Sequence, residues 1–249
     1  MKKIILLSGH SDRFKQVGLP IKPLLEIDEN LFAIDYTVSM MSSCYTDLIF
    51  VTKLSDNLND WLLNRYKGAS VVTTTDHRDG PAVSLLNVMT DLSRICQNDT
   101  LLISYCDLFI NDNICNIQFN NDIDGALITH TGFHPHTLYN KSFAHLKHEN
   151  NKVVEVKEKG CYTANQLEEP ASSGIYYFKS ITLLKKYIEK QINANERVNN
   201  EFYLTMTYNY MIKDMLNVIL HPVDNYISFG VPNDYYLFKY YYNTFKRLN

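Results

Sequence analysis

The stretch Lys3-Ile4-Ile5-Leu6-Leu7-Ser8-Gly9-His10-Ser11-Asp12-Arg13-Phe14 decides how the rest of the chain is read. Residues 3–7 read as a buried strand, a short apolar run that stops at small residues. The turn after it offers free backbone N–H groups and little side-chain bulk, with Arg13 close behind. That combination suits a phosphate, because backbone amides and a forked guanidinium both donate to its oxygens. The same residues also read as a tight turn capped by Ser or Asp, with Arg13 in solvent. In an open α/β sheet, ligands bind beyond the carboxyl ends of the strands, so the turns that follow strands are the places to search.

Working outward, apolar runs at 48–52, 69–73, 101–105, 124–130 and 173–178 read as further strands. Residues 31–43, 56–66 and 81–95 read as helices between them, with Asp56 and Pro81 placed near helix starts. This βαβ order predicts a mostly parallel sheet with helices on both faces. After residue 130 the rhythm changes to a His-rich loop, a charged strand at 152–158, and helices at 180–193, 202–213 and 233–247. There is no internal repeat and no Gly-, Pro- or Ser-rich linker. The expectation is one domain over 1–249, with a first half over 1–130 and an elaborated second half over 131–249.

Composition narrows the classes. The chain has 249 residues and a net charge of −3, with its Lys and Arg scattered, which argues against a nucleic-acid partner. Five cysteines without a CxxC pair fit reduced thiols and a cytoplasmic location. The apolar start is too short for a signal peptide, and no stretch is long enough to cross a bilayer, so no membrane partner is expected. Only nine glycines are present, which leaves little room for a Gly-rich phosphate loop.

Two more turns carry candidate chemistry. Lys22 precedes Pro23, whose fixed backbone aims rather than frees it. Asp107 follows the strand 101–105, where a carboxylate suits Mg²⁺ bound to a triphosphate. An exposed lysine and a turn-capping aspartate are the alternative readings.

Taken together, Leu6–Phe14, Lys22-Pro23-Leu24-Leu25 and Tyr105-Cys106-Asp107 resemble the sugar-phosphate nucleotidyltransferases. Gly80-Pro81-Ala82-Val83-Ser84 is similar to that family's base-packing turn. Val156-Lys157-Glu158-Lys159 is similar to its V-x-E-K segment, and Ser173–Phe178 to its S-G-I-Y-x-F strand. Arg197-Val198-Asn199-Asn200-Glu201-Phe202-Tyr203 and Phe229-Gly230-Val231-Pro232-Asn233-Asp234 resemble segments of a branch found with capsule and surface-polysaccharide genes. The resemblance implies a three-layer α/β/α, Rossmann-like (GT-A-like) fold with a mixed, mostly parallel sheet. It also implies a Mg²⁺-dependent transfer of an NMP group from an NTP to a small phosphorylated acceptor, a sugar phosphate or a similar molecule.

By the same resemblance, Leu7, Ser8, Gly9, His10 and Ser11 cradle the triphosphate, and Arg13 contacts its β- and γ-phosphates. Lys22 neutralises charge developing at the α-phosphoryl, and Asp107 is the metal ligand. Gly80, with Pro81, lets the base approach the backbone; Thr75 stands where thymidylyl and uridylyl members carry a base-reading Gln, which leaves CTP favoured as donor. Lys159 holds the acceptor phosphate and Glu158 its hydroxyls, while Gly174, Glu201 and Thr205 line the acceptor pocket. His134 joins them through the segment His134-Pro135-His136.

Some positions depart from the pattern. Ser11 replaces a glycine, as a serine can where the backbone stays at negative φ. Ser228 stands where many relatives carry a second metal-binding Asp. His130, His134, His136, His145 and His148 lack a metal-site spacing and read as a loop. The aromatic run Tyr235–Tyr242 reads as an internal contact or a subunit interface, leaving a homo-oligomer open. Two other functions stay in view: a catalytically silent nucleotide-binding regulator, and a GT-A glycosyltransferase, whose D-x-D motif is missing from the right place.

Overall fold

The computed structural model describes residues 1–134 and 143–248. The first half comprises β1 (Lys2–Leu6), α1 (Asp12–Lys15), β2 (Glu26–Asp28), β3 (Leu31–Phe32), α2 (Ala33–Met41), β4 (Leu48–Lys53), α3 (Asn59–Arg65), β5 (Ser70–Thr74), α4 (Pro81–Asn87), α5 (Met89–Ile95), β6 (Leu101–Tyr105), β7 (Leu108–Ile110) and β8 (Gly125–His130). The second half adds β9 (His145–Glu149), β10 (Lys152–Lys157), β11 (Ala171–Phe178), α6 (Ile181–Asn193), α7 (Leu204–Lys213), β12 (Val218–Pro222), β13 (Tyr226–Ser228) and α8 (Pro232–Leu248).

The central sheet runs β5-β4-β1-β6-β11-β8-β12-β10-β9. β1 pairs in parallel with β4 on one side and β6 on the other. Only β10 and β11 run against the remaining strands, so the sheet is mixed but mostly parallel in direction. Strand order reverses between β1 and β6, which makes the gap beyond their carboxyl ends the topological switch point. Leu6 pairs with Tyr105 at that end, so the turn after β1 and the Cys106-Asp107 step leave the sheet side by side.

Apolar side chains coat both faces. One face buries Leu85, Leu92, Leu184, Tyr208 and Met211 of α4 to α7, and the other buries Ile34, Val38, Met41 and Leu62 of α2 and α3. A third cluster joins Phe14, Leu25 and Ile27 to Phe229 and Tyr235 under α8. Phe14 is fully buried, worth about 2–3 kcal/mol, and it anchors the segment that carries Arg13.

Helix starts differ from the sequence reading for local reasons. The helix expected over 31–43 begins at Ala33, because the Asp35 carboxylate accepts the Phe32 N–H at 2.7 Å and caps the first turn. The one expected over 56–66 begins at Asn59. Asp56 caps nothing there: it pairs with Lys53 at 3.3 Å, and Asn57 is left-handed (φ +48°). Pro81 does occupy the first turn of α4, but the helix expected over 81–95 is interrupted at Val88. The His-rich stretch contains the edge strand β9. β7 and β13 pair with each other and bring Ser228 opposite Leu108. On α8, Tyr235, Phe238 and Tyr242 pack inward while Tyr236, Tyr240, Tyr241 and Phe245 are exposed.

Candidate active site

A cavity of about 680 Å³ opens at the switch point. The turn after β1 forms its floor. Leu7, Ser8, Gly9, His10, Ser11 and Arg13 all line it, as do Lys22, Gly80, Pro81, Asp107, Glu158, Lys159, Gly174, Glu201 and Thr205. A Cβ built on Gly9 meets nothing within 4 Å, so this glycine leaves open space beside the turn, as a phosphate cradle requires.

Ser11 is not at negative φ as its residue type suggested; it is left-handed, at φ +54° and ψ +24°. That conformation costs an L-residue about 1 kcal/mol. Its hydroxyl accepts the backbone N–H of Lys22 at 3.1 Å, so the strained residue fastens the Lys22 segment to the phosphate turn. Among the described residues and apart from asparagines, the non-glycine residues at positive φ are Ser11, Lys159 and Met215, and the first two line the cavity. Backbone strain concentrates where the surroundings hold it for function.

Lys22 donates to Asp107 Oδ2 at 2.5 Å. Burial disfavours the ammonium, but the Asp107 carboxylate outweighs it and holds Lys22 above its ordinary value. Burial, followed by the Asp107 charge, pushes the Cys106 thiol up to about 12, so it stays protonated. Arg13 makes no hydrogen bond or ion pair among the described residues. Arg78, which the sequence reading passed over, also lines the cavity and pairs with Asp12 at 2.7 Å.

The turn between β5 and α4 forms a wall. Thr75, expected to face the base, does not line the cavity; it is exposed, beside Asn87. His77 and Ser84 line the wall instead. The Asp79 N–H donates to His77 Nδ1 at 3.2 Å, and a backbone amide only donates, so Nδ1 carries no proton. The ring is therefore neutral, and its Nε2–H donates to Ser84 Oγ at 3.0 Å. Burial, opposed in part by Asp79, holds His77 below its ordinary value. Ser8 Oγ lies 2.8 Å from Ser84 Oγ, which ties this wall to the phosphate turn.

Gly80 is required by its own conformation and by the Phe202 backbone. Its φ is +97°, and a Cβ there would stand 2.7 Å from the Phe202 N and 2.8 Å from the Phe202 O. The Phe202 N–H donates to Asp79 O at 2.7 Å, the Ala82 N–H to Phe202 O at 3.1 Å, and Arg197 to Asp79 Oδ1 at 2.9 Å. The glycine thus lets this wall join the segment that carries Glu201 and Tyr203.

On the far side, the Thr205 hydroxyl donates to Glu158 Oε2 at 2.5 Å. Burial pushes the Glu158 carboxyl up to about 7, against the pull of Thr205 and Lys159, and the nearby Glu201 adds to it. Lys159 Nζ lies over the Tyr203 ring, 4.6 Å from its centroid. His145 Nδ1 donates to Gly160 O at 2.7 Å and so grips the turn that presents Glu158 and Lys159.

His134 does not line the cavity. It is buried behind Phe143 and Tyr226, which do, and the latter ring stacks on His130. His136 lies outside the described residues. Burial, with His134 and His145 nearby, pushes His130 down to about 3, so it is a neutral core residue. Among the described residues, no group of three His, Cys, Asp or Glu side chains is placed to hold a metal ion.

An α/β sheet with a small-residue turn, unpaired Arg13 and a Lys–Asp pair at its switch point is the arrangement of a nucleotide-handling protein. Residues 3–150 match the MobA-like NTP transferase domain, and the chain belongs to that family. The fold is similar to a nucleoside-diphosphate-sugar pyrophosphorylase from Vibrio cholerae RC9, with a TM-score of 0.77 and 19% identity over 95% of this chain and 99% of that one. It is also similar to a Bacillus anthracis protein assigned as a glucose-1-phosphate thymidylyltransferase and solved with a sucrose, with a TM-score of 0.74 and 18% identity over 97% and 94% of the two chains. No curated protein matches the sequence at a significant level.

Proposed function

We propose that the protein transfers the nucleotidyl group of an NTP to a small phosphorylated acceptor, as a single domain whose first half holds the NTP and whose second half holds the acceptor. The observation that carries this reading is the meeting of Lys22 and Asp107 beside the phosphate turn, with Arg13 unpaired in the same cavity. An oxygen of the acceptor phosphate attacks the α-phosphorus. The bond from that phosphorus to the oxygen bridging to the β-phosphate breaks, and pyrophosphate leaves with both electrons of that bond. Catalysis of this kind rests on positioning and charge neutralisation.

The backbone of residues 8–11 binds the triphosphate, and Arg13 neutralises its β- and γ-oxygens. Lys22, fully charged beside Asp107, stabilises the negative charge that builds at the α-phosphoryl and leaving oxygens. Asp107 fits a Mg²⁺ held jointly with the triphosphate, since this ion keeps water and substrate phosphates as most of its ligands and needs one or two carboxylates. When bound, Mg²⁺ neutralises charge on the reacting phosphate oxygens. Lys159 takes the acceptor phosphate.

CTP is the donor we favour: the hydroxyls of Ser8 and Ser84 and the main chain near Gly80 suit a cytosine edge. Free thiols at all five cysteines suit a reducing cytoplasm, and no helix among the described residues is long and apolar enough to cross a membrane. We assign the product to the supply of activated precursors for a capsule or surface glycan. A melting-temperature panel of five nucleoside triphosphates with and without Mg²⁺ tests the donor half. The expected result is Mg²⁺-dependent stabilisation, largest for CTP, and no stabilisation by any of them contradicts the reading.

A further inference from the structure

His77 has no part in the transfer as described, yet its ring and its backbone are both fixed. The Asp79 N–H donates to Nδ1 at 3.2 Å, and Asp79 is itself held by Arg197 at 2.9 Å. The His10 ring donates from Nε2 to the His77 carbonyl at 2.6 Å. The His77 side chain is only 12% exposed, and burial disfavours its charged form. A neutral ring with Nδ1 bare carries its one proton on Nε2, and that proton points to Ser84 Oγ, 3.0 Å away.

The protons along this chain fix its direction. Ser84 Oγ and Ser8 Oγ lie 2.8 Å apart, and the hydrogen bond between them uses one of their two protons. Ser84 already accepts from His77, so the second proton cannot go to the ring. Among the described residues the two hydroxyls make no further hydrogen bond. One O–H is therefore left for whatever occupies the cavity, which Ser8, His77 and Ser84 all line. With the opposite tautomer, Ser84 would donate to the ring and Ser8 to Ser84, and the pair would present lone pairs alone. The nitrogen that carries the proton thus decides whether this wall donates or only accepts.

Cytosine and uracil differ in the same terms. Cytosine N3 is a bare acceptor, whereas uracil N3 carries a proton. A wall that donates suits the first and meets the second donor to donor.

Resting on the reading of this cavity as the NTP site, we propose that His77 is a positioning residue that sets base choice: it orients the Ser84–Ser8 hydroxyl pair so that one O–H is offered to the nucleobase, selecting CTP over UTP. It acts through the two serines and not on the reacting atoms.

The test is the affinity of the full chain for CTP and UTP with Mg²⁺, measured by calorimetry beside pyrophosphate release. The wild-type chain is expected to bind CTP about 30-fold or more tightly than UTP. His77→Phe keeps a flat ring with no proton to give, so it should weaken CTP about tenfold and leave UTP within about threefold. His77→Gln, whose amide donates to Ser84, should retain a preference of about tenfold. Should neither variant fold, the ring-nitrogen NMR signals of His77 in the wild-type chain decide: a bare Nδ1 and a protonated Nε2 are expected, and the reverse overturns the proposal. Equal weakening of both nucleotides in His77→Phe, or an unchanged preference, overturns it and makes the ring a packing group. A wild-type preference for another base with pyrophosphate released overturns it but leaves nucleotidyl transfer standing. CTP selected through His77 with no pyrophosphate from any acceptor supports it and counts against transfer. No binding of any NTP counts against both.

Discussion

Lys22 Nζ reaches Asp107 Oδ2 across 2.5 Å, joining a turn that follows the phosphate loop to the end of a strand 85 positions further along the chain. The pair keeps the ammonium charged and holds it in the cavity beside the turn after β1. Lys22→Met is expected to lower kcat about 10²–10³-fold, the loss typical of one preorganised donor to developing charge. The melting temperature should move by no more than about 4 °C, since the pair is partly open to solvent. Pyrophosphate-release kinetics and a melting curve check both halves. A loss of fold without a specific loss of kcat would make Lys22 structural.

Gly9 and Gly80 are glycines for different reasons, and alanine separates them. Gly80→Ala puts a Cβ against the Phe202 backbone at a φ that only glycine tolerates, so it should cost about 3 kcal/mol or more and lower the melting temperature by roughly 6–12 °C. Gly9→Ala meets open space, so the fold should keep its melting temperature while NTP affinity falls about tenfold or more, because the new methyl takes room the phosphate needs. Melting curves with and without NTP measure both effects.

Ser11 combines a strained backbone with a hydrogen bond to Lys22. Ser11→Ala keeps the strain and loses the bond, for about 1 kcal/mol and a fall of about 2–4 °C in melting temperature. Ser11→Gly loses the bond but relieves the left-handed penalty, so its melting temperature should stay within about 2 °C of the parent. Equal behaviour of the two variants would show that the strain carries no weight.

Glu158 supplies a pH signature. Its carboxyl titrates near 7 in the folded chain against 4.5 ordinarily, so the folded state holds that proton more tightly than the unfolded state. The group therefore costs nothing below about pH 4.5, and stability falls as pH rises from there to about 7 and levels off above it. Conversely, kcat/KM for the acceptor should rise through pH 7 as Glu158 ionises to accept from its hydroxyls. Lys159, Glu201 and the Thr205 hydroxyl face the same carboxyl. In Glu158→Gln the limb near 7 should vanish, leaving the acceptor phosphate's own ionisation near about 6. A limb that survives the substitution assigns it elsewhere.

Much of this site is written in short range along the chain. Ile4 to Leu7 followed by Ser8 and Gly9, Pro23 after Lys22, and Asp107 at a strand end are local signals, and Leu7, Ser8, Gly9, Lys22, Pro23 and Asp107 all line the cavity. What escaped the sequence depends on contacts between distant segments. Gly80 is explained by Phe202, the left-handed turn at Ser11 by Lys22, and the neutral ring of His77 by Asp79 and Ser84. β7 and β13 are three residues each, too short for periodicity to expose them, and the edge strand β9 is mostly polar. Thr75 and His134 are expected in the site only by resemblance to family segments, and neither lines the cavity.

Nucleotidyl transfer, binding and hydrolysis differ in where the α-phosphorus of the NTP ends. The full chain is incubated with Mg²⁺, CTP labelled at the α-phosphorus, and a panel of small phosphorylated acceptors that includes glucose 1-phosphate. The account predicts that label moves onto an acceptor with one pyrophosphate released for each label transferred. Label that stays in CTP, or that emerges only as free CMP, would contradict it.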